Sequence, residues 1–430
     1  MPEALLSESL KKYSMSENVA SSAADNRPPQ TWIGLASLTK RAFDGEDLGP
    51  LWNSLLEEVT RNPSSTAAVM DMAFIAQLLG DQKSGLALQS GALNIDRLYR
   101  SRCGTDKPRL RVLALAAPTD IGGNTPIEFL LEGGDIELYT LYIVPGAPLP
   151  TPLPEHDIAI VVAPASESTL ASLSAIIALA KNWPRPVLNA PARIAELDRH
   201  RLHLNLRSIA GLEIPETVRV LRTNLEAMGN EAISLSEILE AGRFPLIVRP
   251  VDSHAGRGLS KLESHLDIPE YLASRPEEEI FLSAYVDYSS PDGLFRKYRI
   301  VFVDGRPYAC HMAISDQWKI WYLNADMAQS ATKRAEEEHF MATFDEEFVS
   351  RHRKVFDEMT QKVGLEYFAI DCAETASGNL LLFEGDNAMI VHNMDPADIF
   401  PYKPPQMRKI FEAFSSMLYK YAASSLVRAA

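Results

Sequence analysis

The chain has 430 residues, 46% of them hydrophobic and 23% charged, with a net charge of −15 and three cysteines. That length holds two or three domains with sizeable cores, and the acidic balance argues against nucleic acid or an anionic membrane as partner. Cys103, Cys310 and Cys372 form no CxxC pair, which argues against a cysteine zinc site and fits a reduced, cytoplasmic chain.

Residues 1–29 are rich in Ser, Glu, Asn and Ala and end in Pro28-Pro29. They read as a mobile arm without the apolar centre of a secretory signal, and no run is long enough to span a membrane. Residues 30–107 read as an all-α segment. Leu48, Leu51, Leu55, Leu56 and Val59 recur at helical spacing. Asn62-Pro63-Ser64-Ser65 stops that helix and caps the next, Ala67 to Leu79; Gly80-Asp81 breaks it, and Ala87 to Leu98 is predicted as a third. These helices resemble tetratricopeptide-type repeats over little more than one repeat, and such arrays need about three to stand alone. A helical cap on the next domain, or on a second subunit of a homo-oligomer, fits as well. Either way residues 31–100 read as a surface for a protein partner and not as a catalytic part.

Residues 108–214 change character. Leu110 to Ala117 is a short apolar run suited to a central parallel strand, followed by a Gly-containing loop, Pro118 to Pro126, and the helical Ile127 to Glu132. Strand, loop, helix opens a doubly wound sheet, whose ligands bind outside the carboxyl ends of the strands. GxGxxG is absent, so a dinucleotide site is not supported. The loop either touches substrate or is only a tight crossover. Ile136 to Val144, Asp157 to Pro164 and Pro186 to Leu188 are further strands, with a helix from Ser168 to Asn182. Asn189-Ala190-Pro191 then turns into a helix through Asp198-Arg199 to Leu206, and a boundary falls near residue 215.

Residues 215–430 carry the charge pattern. Phe244 to Pro250 is a buried strand ending in Arg249, and Val251 to Ser260 follows with Gly256-Arg257-Gly258. Small residues let backbone N–H groups approach phosphates, and Arg249 and Arg257 add charge. GxxxxGK[ST] is absent, so this is no Walker A loop, and a plain hairpin is the alternative. Glu279 to Asp287 is another apolar strand. In Arg296 to Val303 the alternation puts Lys297 and Arg299 on one face, and Asp304-Gly305 turns the chain onto Pro307 to Ala313. Two cations on one face require an anionic partner, either the acids of the next hairpin or a polyphosphate; a solvated face is the alternative. Residues 332–363 read as a surface helical pair and Met407 to Leu426 as a last helix.

The hairpin from Glu366 to Asp395 organises the rest. Tyr367 to Cys372 is apolar apart from Asp371, Ala376 to Asn379 is the turn, and Leu380 to Glu384 is too apolar for a surface strand. Alternation places Glu384 and Asp386 on one face, and pairing brings Asp371 beside them. Converging carboxylates repel, and a divalent cation offsets that repulsion. Mg²⁺ takes one or two carboxylates plus substrate phosphates, so the pattern suggests a nucleotide as well as a metal. Solvated acids on an ordinary hairpin are the alternative.

In this order the pieces resemble the ATP-grasp superfamily, and most of all its RimK-like carboxylate–amine ligases, from about residue 110 to 420. The resemblance implies an α/β fold: α+β grasp lobes (215–430) preceded by an open parallel-sheet domain (108–214), after the all-α segment. It implies ATP with Mg²⁺, or Mn²⁺ in its place. It implies nucleotide contacts from Arg199, Arg249, Ser253, His254, Gly256, Arg257, Gly258, Ser283, Tyr285, Val286 and Asp287. Lys297 and Arg299 would be catalytic cations, and Asp371, Glu384, Asp386 or Asn387 the metal ligands. The reaction implied is activation of a small-molecule or peptide carboxylate as an acylphosphate, then attack by an amine. Three positions depart from the pattern: Arg249 and Arg199 stand where lysine is usual, and Asp386 stands where the family's Glu-x-Asn has Asn, with Asn387 one residue further. Arginine keeps the charge and changes the shape. The alternative is a degenerate nucleotide-binding module acting through protein contacts of the helical segment. His311, Trp318, Trp321, Asn324 and His392 are candidates for an acceptor pocket, with ordinary packing the commoner role for such side chains.

Overall fold

The computed structural model describes residues 28–429 except 241, 252, 254 and 255, so the arm up to residue 27 and the candidate His254 lie outside the described residues. The chain starts with a short strand, Gln30–Thr31 (β1), and four helices: Leu35–Phe43 (α1), Gly49–Arg61 (α2), Thr66–Leu78 (α3) and Gln82–Leu93 (α4). Helix α3 is apolar from Ala67 through Ala76 apart from Asp71, and is buried along nearly its whole length. The third predicted helix is corrected. It begins earlier, where the Asp81 carboxylate accepts from Ser84 N (3.0 Å), and ends at Leu93. Leu98–Arg100 is instead a strand (β2), because Tyr99 is buried where β2 pairs into the sheet that follows.

That sheet continues with Leu110–Ala116 (β3), Ile136–Tyr142 (β4), Ile158–Val161 (β5) and Val187–Leu188 (β6), in the order β1-β2-β4-β3-β5-β6. Strands β4, β3, β5 and β6 run parallel, and their mostly buried apolar runs are what a sheet covered on both faces requires. Helices α1–α4 and one face of this sheet share a continuous core. Short helices Ile127–Leu130 (α5), Leu170–Ala180 (α6), Pro191–Ile194 (α7) and Arg199–Leu206 (α8) complete the unit, and Leu212–Glu213 (β7) leaves it for a third sheet.

Thr217–Leu221 (β8), Leu246–Pro250 (β9), Ser260–Leu262 (β10) and Glu279–Ala284 (β11) form an antiparallel sheet ordered β10-β9-β11-β8, packed on helices Arg222–Gly229 (α9) and Ile268–Ala273 (α10). Phe295–Val303 (β12), Arg306–Ser315 (β13), Tyr367–Glu374 (β14) and Leu380–Asp386 (β15) form the third sheet, ordered β13-β12-β14-β15-β7. The β12–β13 turn uses Asp304 and Gly305, at φ 49° and 82°, as a two-residue hairpin with right-handed twist needs. The surface pair is Ala331–Ala342 (α11) and Ser350–Val363 (α12). The last helix, Lys403–Ala429 (α13), starts earlier than the spacing predicted, with Pro404-Pro405 tolerated in its first turn. Among the described residues no helix is long and apolar enough to cross a membrane.

Candidate active site

Register builds the site. His311 on β13, Arg299 on β12, Asp371 on β14 and Glu384 on β15 are direct cross-strand partners, so four polar side chains form one row across the third sheet. A bulge follows Arg299 in one pairing and Asp371 in the other, re-aiming side chains next to that row.

Asp371 is 1% exposed and is held by two cations. Arg299 donates to it in a fork, Nε to Oδ1 at 2.8 Å and Nη2 to Oδ2 at 3.0 Å, and Lys297 Nζ lies 2.7 Å from Oδ2. Burial alone pushes the Asp371 carboxyl up, but the charges of Arg299 and Lys297 outweigh it and hold the group well below the usual carboxylate range. The anionic partner expected for Lys297 and Arg299 is thus an acid of the hairpin.

Glu384 collects cations from two other units. Asp198 caps α8, its Oδ1 accepting from His200 N at 3.1 Å, and this sets Arg199 at the start of the helix. From there Arg199 donates to the Glu384 carboxylate and to the Phe383 carbonyl (3.1 Å). Arg249 approaches from β9 of the second sheet, 3.7 Å from Glu384. Burial opposes ionisation of Glu384, and Arg199 with Arg249 brings it down to about 2. Burial and the neighbouring Arg199 lower Arg249 to about 10. Arg249 Nε also donates to Ser253 Oγ (3.1 Å), which ties the strand end to the glycine loop.

That loop spans β9 to β10. Gly256 and Gly258 sit at φ 68° and 69°, and a Cβ on Gly258 would come within 2.5 Å of Pro250 Cδ, so only glycine fits there. Arg257 is exposed and is not brought to the row. At the other edge, Ser283 lies on β11, which ends at Ala284 and not at Asp287 as predicted. Tyr285 N donates to Pro245 O (3.1 Å), Val286 follows half-buried, and Asp287 is exposed with Oδ1 accepting from Ser289 N (2.9 Å).

Asp386 pairs with Ala369 on the strand, and its Oδ1 accepts from Ala388 N at 3.0 Å. Asn387, fully buried, donates from Nδ2 to Ala163 O (3.1 Å) and Thr125 Oγ1 (3.3 Å), while Thr125 Oγ1 donates to Asn387 O (2.8 Å). The Pro118–Pro126 loop of the first sheet therefore meets the end of β15. Asn387 Oδ1 is buried with no hydrogen-bond partner among the described residues, a costly state for an acceptor. Among the described residues no group of three or more His, Cys, Asp or Glu is placed to hold a metal ion alone. An oxygen-ligated cation that shares its shell with phosphate oxygens fits this donor set; one caged by protein does not.

Two features escape the sequence reading. Lys319 Nζ donates to Leu259 O (2.9 Å) beside the glycine loop, next to the candidate Trp318, which packs edge-on against Tyr285 at 5.9 Å. Lys403, 2% exposed, pairs with Asp395 (2.8 Å) and Glu337 (3.3 Å) and bonds the Tyr322 hydroxyl, whose ring meets His311 at 4.7 Å. A lone lysine in an aromatic stretch, and one at a helix start, carry no periodic signal. Of the acceptor candidates, His311 and Trp318 pack as described. Asn324 accepts from Trp321 N (2.9 Å), Trp321 is 48% exposed, and His392 lies 6.1 Å from the Phe129 ring.

No family model and no curated protein matches this sequence. Solved structures do. A RimK-domain ATP-grasp protein from Sphaerobacter thermophilus is similar at 16% identity and TM-score 0.40, over 73% of this chain and 99% of that one. The VanG D-Ala:D-Ser ligase of Enterococcus faecalis is similar at 13% identity and TM-score 0.43, over 72% of this chain and 100% of that one. The D-alanine–D-alanine ligase of Bacillus anthracis is similar at 10% identity and TM-score 0.42, over 74% and 99%.

Proposed function

We propose that this protein is an ATP- and Mg²⁺-dependent ligase that joins a carboxylate to an amine. The observation that carries the reading is the row itself. Arg199, Arg249, Lys297 and Arg299 converge from three units on just two carboxylates, Asp371 and Glu384. Among the described residues these half-buried cations outnumber the carboxylates they pair with, and such a cluster between two sheets suits a polyphosphate. The ordered resemblance of these segments to ATP-grasp ligases supplies the reaction type.

In this reading the backbone from Ser283 to Asp287 holds the base of the nucleotide, and the Gly256-Arg257-Gly258 loop covers the phosphates and keeps water out. Arg249, Lys297 and Arg299 spread the charge that develops on the transferring phosphoryl group. Asp371 and Glu384, with Asp386 or Asn387, would hold Mg²⁺, which when bound neutralises the phosphate oxygens. Arg299 then remains beside the acylphosphate as the amine displaces phosphate.

The second reading, nucleotide binding without turnover, is favoured by the arginines at positions 199 and 249. Turnover separates the two. ATP is incubated with pooled carboxylates and amines, and ADP and orthophosphate are measured. Release that needs both pools and is lost in Arg299→Met supports the ligase. Saturable ADP binding with no release in any mixture selects the second reading.

A further inference from the structure

Resting on the nucleotide reading, we infer that the site takes up its polyphosphate before, and independently of, the divalent cation. Both carboxylates at the row are already coordinated by protein cations: Asp371 by Arg299 and Lys297, Glu384 by Arg199 and Arg249. Asp371 is closed to solvent, because three charge-assisted contacts at 2.7–3.0 Å engage its two oxygens and it is 1% exposed. A cation arriving alone would have to strip these partners away and then sit beside the four positive groups it had displaced.

An anion meets the opposite situation. Phosphate oxygens give Arg199, Arg249, Lys297 and Arg299 new partners that can replace the carboxylates. Each exchange then frees carboxylate oxygens for a metal. The buried Asn387 Oδ1, with no partner among the described residues, adds an acceptor just past the end of the strand that carries Glu384. The polyphosphate thus creates the metal site by taking over the cations that close it.

The test uses the full chain at constant ionic strength, with binding followed by calorimetry and thermal shift. The probes are MgCl₂ alone, ADP with EDTA, pyrophosphate with EDTA, and ADP with MgCl₂. ADP and pyrophosphate in EDTA each bind and raise the Tm, MgCl₂ alone leaves it unchanged, and the pair together binds at least about tenfold more tightly than ADP alone. In Asp371→Asn the metal-free affinity is kept or increased, since Lys297 and Arg299 lose their competitor, and the magnesium increment disappears. A Tm rise with MgCl₂ alone that Asp371→Asn removes would overturn the inference, as would ADP binding only when magnesium is present; both outcomes leave the nucleotide reading standing. If neither ADP nor pyrophosphate binds in any mixture, the inference and the nucleotide reading fall together.

Discussion

Arg299 and Asp371 lie opposite each other in register, and the fork between them engages both oxygens of a buried carboxylate. Breaking a buried pair from one side costs more than the pair contributes, because the remaining charge stays desolvated. Arg299→Met should therefore lower stability by roughly 2–3 kcal/mol, less than the full cost because Lys297 still reaches Asp371. Urea denaturation measures this, and a loss below the experimental error would mean that Asp371 is neutralised another way. Arg249 offers a cleaner binding probe. Its side chain is only 12% exposed, and the charge of Arg199 works against its own. Arg249→Met should relieve that repulsion and weaken ADP binding about tenfold, near 1.4 kcal/mol, with little loss of Tm. Calorimetry with unchanged affinity would remove Arg249 from the site.

At the scale of elements, the start of α1 is held by two carboxylates, one buried and one half-buried. Asp71 on α3 accepts from Ile33 N (2.8 Å) and Gly34 N (3.0 Å), and Glu128 on α5 accepts from Ala36 N (2.9 Å) and Ser101 Oγ (2.7 Å). Burial pushes Asp71 up to about 7 despite those two N–H donors, and the Glu128 charge adds to the rise. A folded-state pKa above the unfolded one means that the folded chain binds the proton more tightly. Its contribution is therefore present in acid and lost as pH rises through about 7. Stability should fall by roughly 1 kcal/mol between pH 6 and pH 8, and Asp71→Asn should flatten the profile. Denaturant midpoints across that range decide it; equal slopes for the two proteins would contradict the clamp. In the glycine loop, Gly258→Ala meets both a left-handed φ and Pro250, so it should reduce ADP affinity while leaving the global Tm within a few degrees. The sequence was informative wherever a period or a turn applied: β12–β15, both their hairpin turns and the facing of Asp371, Glu384 and Asp386 all follow from alternation and Gly or Asp at positive φ. It was silent where the third dimension decides. Nothing local distinguishes Leu98–Arg100 from a helix end until β4 offers it a partner, and nothing around Lys319 or Lys403 announces that these two lysines meet the site, although their neighbours Trp318, Trp321 and Asn324 were candidates.

At the scale of the molecule, the row joins three units that are distant in sequence. Arg199 comes from the end of the first unit, Arg249 from the second sheet, and Lys297, Arg299, Asp371 and Glu384 from the third. The helical segment is not free of this body, because β1 and β2 extend the first sheet and α1–α4 share its core with Met407, Ile410 and Phe414 of α13. A ligand that bridges the second and third sheets should therefore slow their opening together and leave α1–α4 unchanged. Hydrogen–deuterium exchange with and without ADP and Mg²⁺ tests this most directly. Added protection is expected in residues 246–262, 279–288, 295–300 and 369–387, and none in 35–93. Protection confined to the helical segment, or no change anywhere at saturating nucleotide, would contradict it.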